Sequence, residues 1–140
     1  MLIATDGREL AGKAVEEGLD LAKTVGAKAT IVRVTNLPAP IVYEGVVVAL
    51  PTEEVRQEIA ARVTEYFSTI RQKAAAAGDI ETVQVEHDFP WQAILDAAKQ
   101  KGSELIVMAS HGRRGISAML LGSETQKVLT HSTIPVLVCR

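Results

Sequence analysis

Short apolar runs alternate along this chain with stretches whose apolar residues recur every three to four positions, and this alternation limits the possible folds more than any other feature. The apolar runs are Met1–Thr5, Ala29–Val34, Ile80–His87, Leu105–Ala109 and Ile134–Cys139. Between the first two, Ala11, Ala14, Val15, Gly18, Leu19, Ala22 and Val25 form a helical stripe that Gly26 closes. A longer helix carries Val55, Ile59, Val63, Tyr66, Phe67, Ile70, Ala74 and Ala77, with Gly78 as its stop. A shorter helix starts at Asp88-Phe89-Pro90, carries Ile94, Leu95 and Ala98, and stops at Gly102. The last helix runs from Ser123 to Thr130. Strand and helix in turn predict an α/β fold: an open five-stranded parallel sheet, Rossmann-like, with helices on both faces.

The 140 residues are read as one domain, 1–140. A formal charge of −2 supplies no basic field, so nucleic acid is not an expected partner. Cys139 is the one cysteine, which excludes an internal disulfide and reads as a small core or interface residue. The opening residues already read as strand rather than signal peptide, and the longest apolar runs, such as Val46–Leu50, are too short to span a bilayer. The expectation is a soluble, cytoplasmic protein without membrane contact.

Two strands carry more information. Val83, Val85 and His87 alternate with Thr82, Gln84 and Glu86, whereas a central parallel strand is apolar on both faces. The third strand is therefore expected at an edge, which disfavours a flavodoxin-like order. The last strand, Ile134–Cys139, is apolar on both faces yet ends the sheet, so a second copy of the chain is expected to cover it in a homodimer. Residues 36–51, with Pro38, Pro40 and Pro51, read as an irregular connection that either closes over a crevice or packs on the partner.

Ligands of open α/β sheets bind at the carboxyl ends of strands where the winding reverses. Those ends are Thr5-Asp6-Gly7 after the first strand and Ala109-Ser110-His111-Gly112 after the fourth. A strand that opens into a glycine-punctuated loop and then a helix start suits a phosphate, because main-chain N–H groups face the anion. Asp6 either accepts hydrogen bonds from a ribose or base, or caps the first helix with Glu9 in a capping-box pair, and both roles are compatible. Gly112 either presents its N–H to a phosphate or serves as a turn glycine. Gly122-Ser123 either completes the cradle or only starts the helix, with Ser123 and Gln126 as a capping box. Arg113 and Arg114 pair with phosphates or stay solvated, and His111 touches ligand or orders the loop. Trp91 reads as packing, and the spacing of His87, His111 and His131 gives no shared metal site. Gly7, Gly12 and Lys13 nearly spell a P-loop, but Ala14 replaces its hydroxyl and the segment fits the helix stripe. Asp6, Asp88 and Ser110 imitate a phospho-receiver without its second acid or its lysine.

These residues resemble the universal stress protein family, whose signature is G-x-x-G-x9-G-[ST] before a P-V-L-V-type strand. Here the line reads Ala109-x-x-Gly112-x9-Gly122-Ser123 and ends in Pro135-Val136-Leu137-Val138. Ile3-Ala4-Thr5-Asp6-Gly7 is similar to the family's first strand and acidic turn, and Phe89–Ile94 to the start of its third helix. The resemblance implies strand order 3-2-1-4-5, a homodimer and, in one branch, binding of ATP with or without Mg²⁺. By the same resemblance Asp6 lies near ribose and adenine, Thr5 and Val34 near adenine, and Met108 and Ala109 along the nucleoside. Gly112, Gly122, Ser123 and the backbone of Glu124 serve the phosphates. Ala109 stands where the signature has glycine, which crowds the backbone near the ribose, and Arg8 stands where serine is common. The expected function is an ATP-binding, nucleotide-responsive stress regulator with little or no fast catalysis, since neither a base for a γ-phosphate nor a paired Mg²⁺ carboxylate is identifiable. The alternatives are a nucleotide-free dimeric scaffold of the same fold and, less well matched, a phosphotransfer or flavin enzyme.

Overall fold

A computed structural model describes residues 1–36, 41–49, 52–74, 79–110 and 121–140. The elements in chain order are β1 (Leu2–Thr5), α1 (Glu9–Val25), β2 (Ala29–Thr35), β3 (Ile41–Tyr43), β4 (Val46–Ala49), α2 (Glu53–Lys73), β5 (Ile80–Glu86), α3 (Pro90–Gln100), β6 (Ile106–Ala109), α4 (Ser123–His131) and β7 (Val136–Cys139). The main sheet has five strands in the order β5-β2-β1-β6-β7. Every pairing in it is parallel. Setting aside the β3–β4 pair, this is the order 3-2-1-4-5 that the family resemblance implies, with the polar-alternating strand at an edge as its pattern predicts.

β1 is buried along its whole length, as a strand covered on both faces must be. β5, at one edge, has no fully buried residue, which matches its polar alternation. Successive residues of the central strands divide between two cores. Ile3, Ile31 and Val107 pack under α1 and α2 with Val15, Leu19, Val63 and Phe67. Leu2, Val32 and Ile106 pack under α3 and α4 with Ile94, Leu95 and Val128. The chain thus winds one way from β1 through β2 to β5, then crosses to the other face for β6 and β7. The winding reverses between β1 and β6, which is where open α/β sheets bind their ligands.

α1 lies close on the sheet because position 18 has no side chain. A Cβ built on Gly18 would stand 2.9 Å from Ile3 Cδ1 and 3.3 Å from Val107 Cγ1. α2 ends at Lys73 with Ala74 as its cap, earlier than the stop expected at Gly78; Ala77 and Gly78 lie outside the described residues. Segment 36–51 departs from expectation more clearly. Ile41–Tyr43 and Val46–Ala49 pair antiparallel rather than forming an irregular connection. The two-residue turn Glu44-Gly45 has φ of 48° and 79°, and two successive left-handed residues match the right-handed twist of a tight hairpin. Pro38, Pro40 and Pro51, which prompted the loop reading, lie outside the described residues.

Gly18→Val forces branched carbons into the Ile3–Val107 contact and is expected to cost about 1–3 kcal/mol, typical of overpacking a close-packed core. Urea unfolding followed by circular dichroism checks this, and an unchanged midpoint would contradict so close an approach of α1.

Candidate functional site

The two strand ends at the reversal carry different chemistry. After β1 the chain turns through Asp6 and Gly7 into α1. Thr5 is buried; its Oγ1 lies 2.8 Å from the Tyr66 hydroxyl and accepts the Gly7 N–H at 3.1 Å. Asp6 Oδ1 accepts the Arg8 N–H at 3.1 Å. That bond forms a side-chain turn rather than a helix cap. α1 begins at Glu9 with Arg8 in the N-cap position, so the expected Asp6–Glu9 capping box does not form, because Asp6 sits two residues before the cap. Asp6 Oδ2 is buried and has no hydrogen-bond donor among the described residues; Arg8 Nε is 3.8 Å away. An acceptor removed from water without a donor is costly, and the nearby Arg8 charge offsets part of that cost.

Arg33 pairs in register with Thr5 across the sheet, and its guanidinium lies 5.1 Å over the Tyr66 ring. The same guanidinium comes within 3.1 Å of the position a Gly7 Cβ would take. Burial pushes the Tyr66 phenol above its ordinary pKa, partly offset by the bond to Thr5 and by the charge of Arg33.

After β6, the first turn of α4 is fastened to the strand end. Gly122 N–H donates to the Ser110 carbonyl at 2.8 Å, and the buried Thr125 Oγ1 donates to the Ala109 carbonyl at 3.0 Å. Ser110 N–H in turn donates to the Cys139 carbonyl at 2.7 Å. Gly122, not Ser123, is the N-cap and has no side chain to cap with, so the expected Ser123–Gln126 box does not form; Gln126 N–H instead donates to the Gly122 carbonyl at 2.9 Å. The N–H groups of Ser123, Glu124 and Thr125 have no acceptor within the helix, as at any helix start. They carry the positive end of the α4 dipole toward the carboxyl end of β6.

The structure brings together Ala109, Gly122, Ser123 and Glu124 at one strand end, beside the β1 end that holds Thr5 and Asp6. It divides the remainder between the sheet faces. Met108 and half-buried Val34 face the core under α3 and α4. Ala109 packs on the other face, where the Thr5 hydroxyl meets Tyr66 of α2. Gly112, with His111, Arg113 and Arg114, lies outside the described residues. Thr125, Arg33 and Tyr66 are not site candidates by sequence, Tyr66 belonging only to an apolar stripe; Ser110 is named there only within the strand end after the fourth strand and in the phospho-receiver imitation. A polar residue on the inward face of a short helix, as Thr125 is, was the one available signal. Cys139 is buried under α1, and desolvation raises its thiol to about 12, which keeps it protonated and suits a core residue. No helix among the described residues is long and apolar enough to cross a membrane.

The one-way winding, the reversal beside β1 and the helix start fastened to β6 define an α/β protein of the Rossmann-like class. The Universal stress protein family profile matches residues 1–140, and the chain belongs to that family. Universal stress protein YxiE of Bacillus subtilis is 35% identical over 148 residues, covering 100% of this chain and 97% of that protein. A universal stress protein solved in complex with cAMP superposes with a TM-score of 0.72 at 23% identity, over 99% of this chain and 94% of the other. The universal stress protein from Archaeoglobus fulgidus in complex with dAMP superposes with a TM-score of 0.65 at 20% identity, over 99% and 95% of the two chains.

Thr125→Val keeps the shape of the side chain but leaves the buried Ala109 carbonyl without its donor, and is expected to cost about 1–3 kcal/mol. Thr125→Ser is expected to recover most of the loss. Denaturant unfolding of the three proteins checks the order, and equal stability of the Val and Ser variants would contradict the fastening role.

Proposed function

We propose that this chain is a nucleotide-responsive stress regulator that binds ATP, with or without Mg²⁺, in the crevice between the β1 and β6 ends. The observation that carries the reading is Asp6 Oδ2, a buried acceptor with no hydrogen-bond donor among the described residues, at the strand end next to a helix start whose first N–H groups have no acceptor within the helix. A nucleotide satisfies both at once: ribose hydroxyls donate to the carboxylate, and phosphate oxygens accept from the helix start. Relatives of the same fold solved with cAMP and dAMP support a nucleotide as the ligand. In this reading Met108 and Val34 offer apolar surface to the base and Thr5 borders it. Ala109 lies along the nucleoside. Ser123 and Glu124 supply main-chain N–H groups to the phosphates, and Gly112 adds its own. Gly122 contributes by leaving the cradle open, since its N–H already serves Ser110. Micromolar affinity corresponds to about −8 kcal/mol, within reach of several charge-assisted hydrogen bonds and a buried base.

The engaged Gly122 N–H favours a second reading, in which the crevice stays empty and the chain acts as a dimeric scaffold. Mass spectrometry of nucleotide released on denaturing the purified protein, followed by calorimetric titration with ATP, separates the two. The nucleotide reading predicts bound or bindable ATP, weakened about 10–100-fold in Asp6→Ala as a charged hydrogen-bond acceptor is lost. No release and no binding at millimolar ATP would leave the scaffold.

The homodimer is part of the same proposal. β7 ends the sheet, and Leu137 on it is 40% exposed, so a second copy laid against Ile134–Cys139 would cover an apolar edge. Leu137→Lys is expected to shift the protein from dimer to monomer in sedimentation velocity runs, whereas an unchanged sedimentation coefficient would place the interface elsewhere.

A further inference from the structure

We propose that Glu124 is a positioning residue that also sets how many phosphates the crevice favours: its carboxylate ties the start of α4 to the start of α3 and stands as a fixed negative charge beside the phosphate-binding amides. The proposal rests on the nucleotide reading above and deepens it.

Glu124 is the second residue of α4. Its Oε2 accepts the main-chain N–H of Trp91 at 3.0 Å, and its Oε1 accepts from Lys127 Nζ at 3.0 Å. Trp91 is the second residue of α3, whose first turn holds no acidic residue and whose N-cap, Phe89, makes no side-chain bond. The acceptor that α3 lacks in its own sequence therefore arrives from α4. One carboxylate serves the positive ends of two helices. At the far end of α4, His131 lies against the Trp91 ring, with centroids 4.6 Å apart, and its Nδ1 is 2.8 Å from the Lys127 carbonyl. Trp91 is thus held from both ends of α4.

This arrangement has an electrostatic cost for a phosphate chain. The positive end of α4 is already partly balanced by the Glu124 carboxylate when an anion arrives, since the exposed Lys127 partner offsets only part of that charge. Repulsion grows with each charge on the ligand, so the triphosphate loses more than the monophosphate. A glutamine at 124 keeps an oxygen for the Trp91 N–H and removes the charge. An alanine removes both.

The test is calorimetric titration of ATP and AMP into the native protein, Glu124→Gln and Glu124→Ala, with Trp91 emission recorded on the ligand-free proteins. Trp91 is the one tryptophan in the chain, so its emission reports the α3–α4 joint independently of ligand. Glu124→Gln is expected to bind ATP about 3–10-fold more tightly and AMP less than about twofold more tightly, a gap that salt narrows. Its emission is expected to match the native protein, and that of Glu124→Ala to shift. Equal changes for ATP and AMP, or none, would overturn the proposal and leave the nucleotide reading standing. Binding by Glu124→Gln alone would support it while removing ATP from the native chain's function. Absence of binding in every protein would overturn both, and native emission in Glu124→Ala would overturn the tie between the helices.

Discussion

The joint between β6 and α4 is the interaction on which the rest of this molecule depends. A strand that ends at the edge of a core leaves carbonyls facing nothing, and a helix that begins there leaves N–H groups facing nothing. Here the first turn of α4 satisfies the Ala109 and Ser110 carbonyls through Thr125 Oγ1 and the Gly122 N–H. The helix is held at the strand end as a result, with its remaining N–H groups beside the point where the sheet winding reverses. Without that fastening the Thr5–Gly7 turn would have no fixed main-chain donors at the neighbouring strand end.

The two halves of the crevice are built by opposite means. The β1 side is a network of side chains: Thr5 bonded to Tyr66, Arg33 lying over the same ring, and Asp6 turned back on Arg8 with one oxygen that has no hydrogen-bond donor among the described residues. The β6 side is mostly main chain. An acidic acceptor follows β1 and a positive helix end is fastened to the neighbouring β6, and the proposed nucleotide would use both. Because the sheet faces alternate, buried Met108 and half-buried Val34 lie on the α3–α4 side, away from the Tyr66 network.

Much of this architecture was legible in the sequence. Strand periodicity distinguished the polar edge β5 from the buried β1, and the helical stripe of α1 closed at Gly26, where φ is 65°. The hairpin Ile41–Ala49 was not legible because the flanking prolines outweighed a Glu44-Gly45 turn whose left-handed backbone only the structure reveals. Cap positions moved by a residue or two, at Arg8 instead of Asp6 and at Gly122 instead of Ser123, because a capping side chain is chosen by local geometry that residue type alone does not determine. Tertiary partners were the least visible. Thr5 and Tyr66 are 61 positions apart and Trp91 and Glu124 are 33 apart, beyond any local pattern. The membership in the universal stress protein family was readable from the Ala109–Ser123 line and the Pro135–Val138 strand, and it extends over the whole chain.

Nitrogen–proton correlation spectra of the isotope-labelled protein, recorded during titration with ATP, test the central claim most directly. The account predicts that the amides of Ser123, Glu124 and Thr125 shift together with those of Asp6 and Gly7, along a single saturation curve. Saturating shifts confined to another part of the surface, with these amides unmoved, would contradict it.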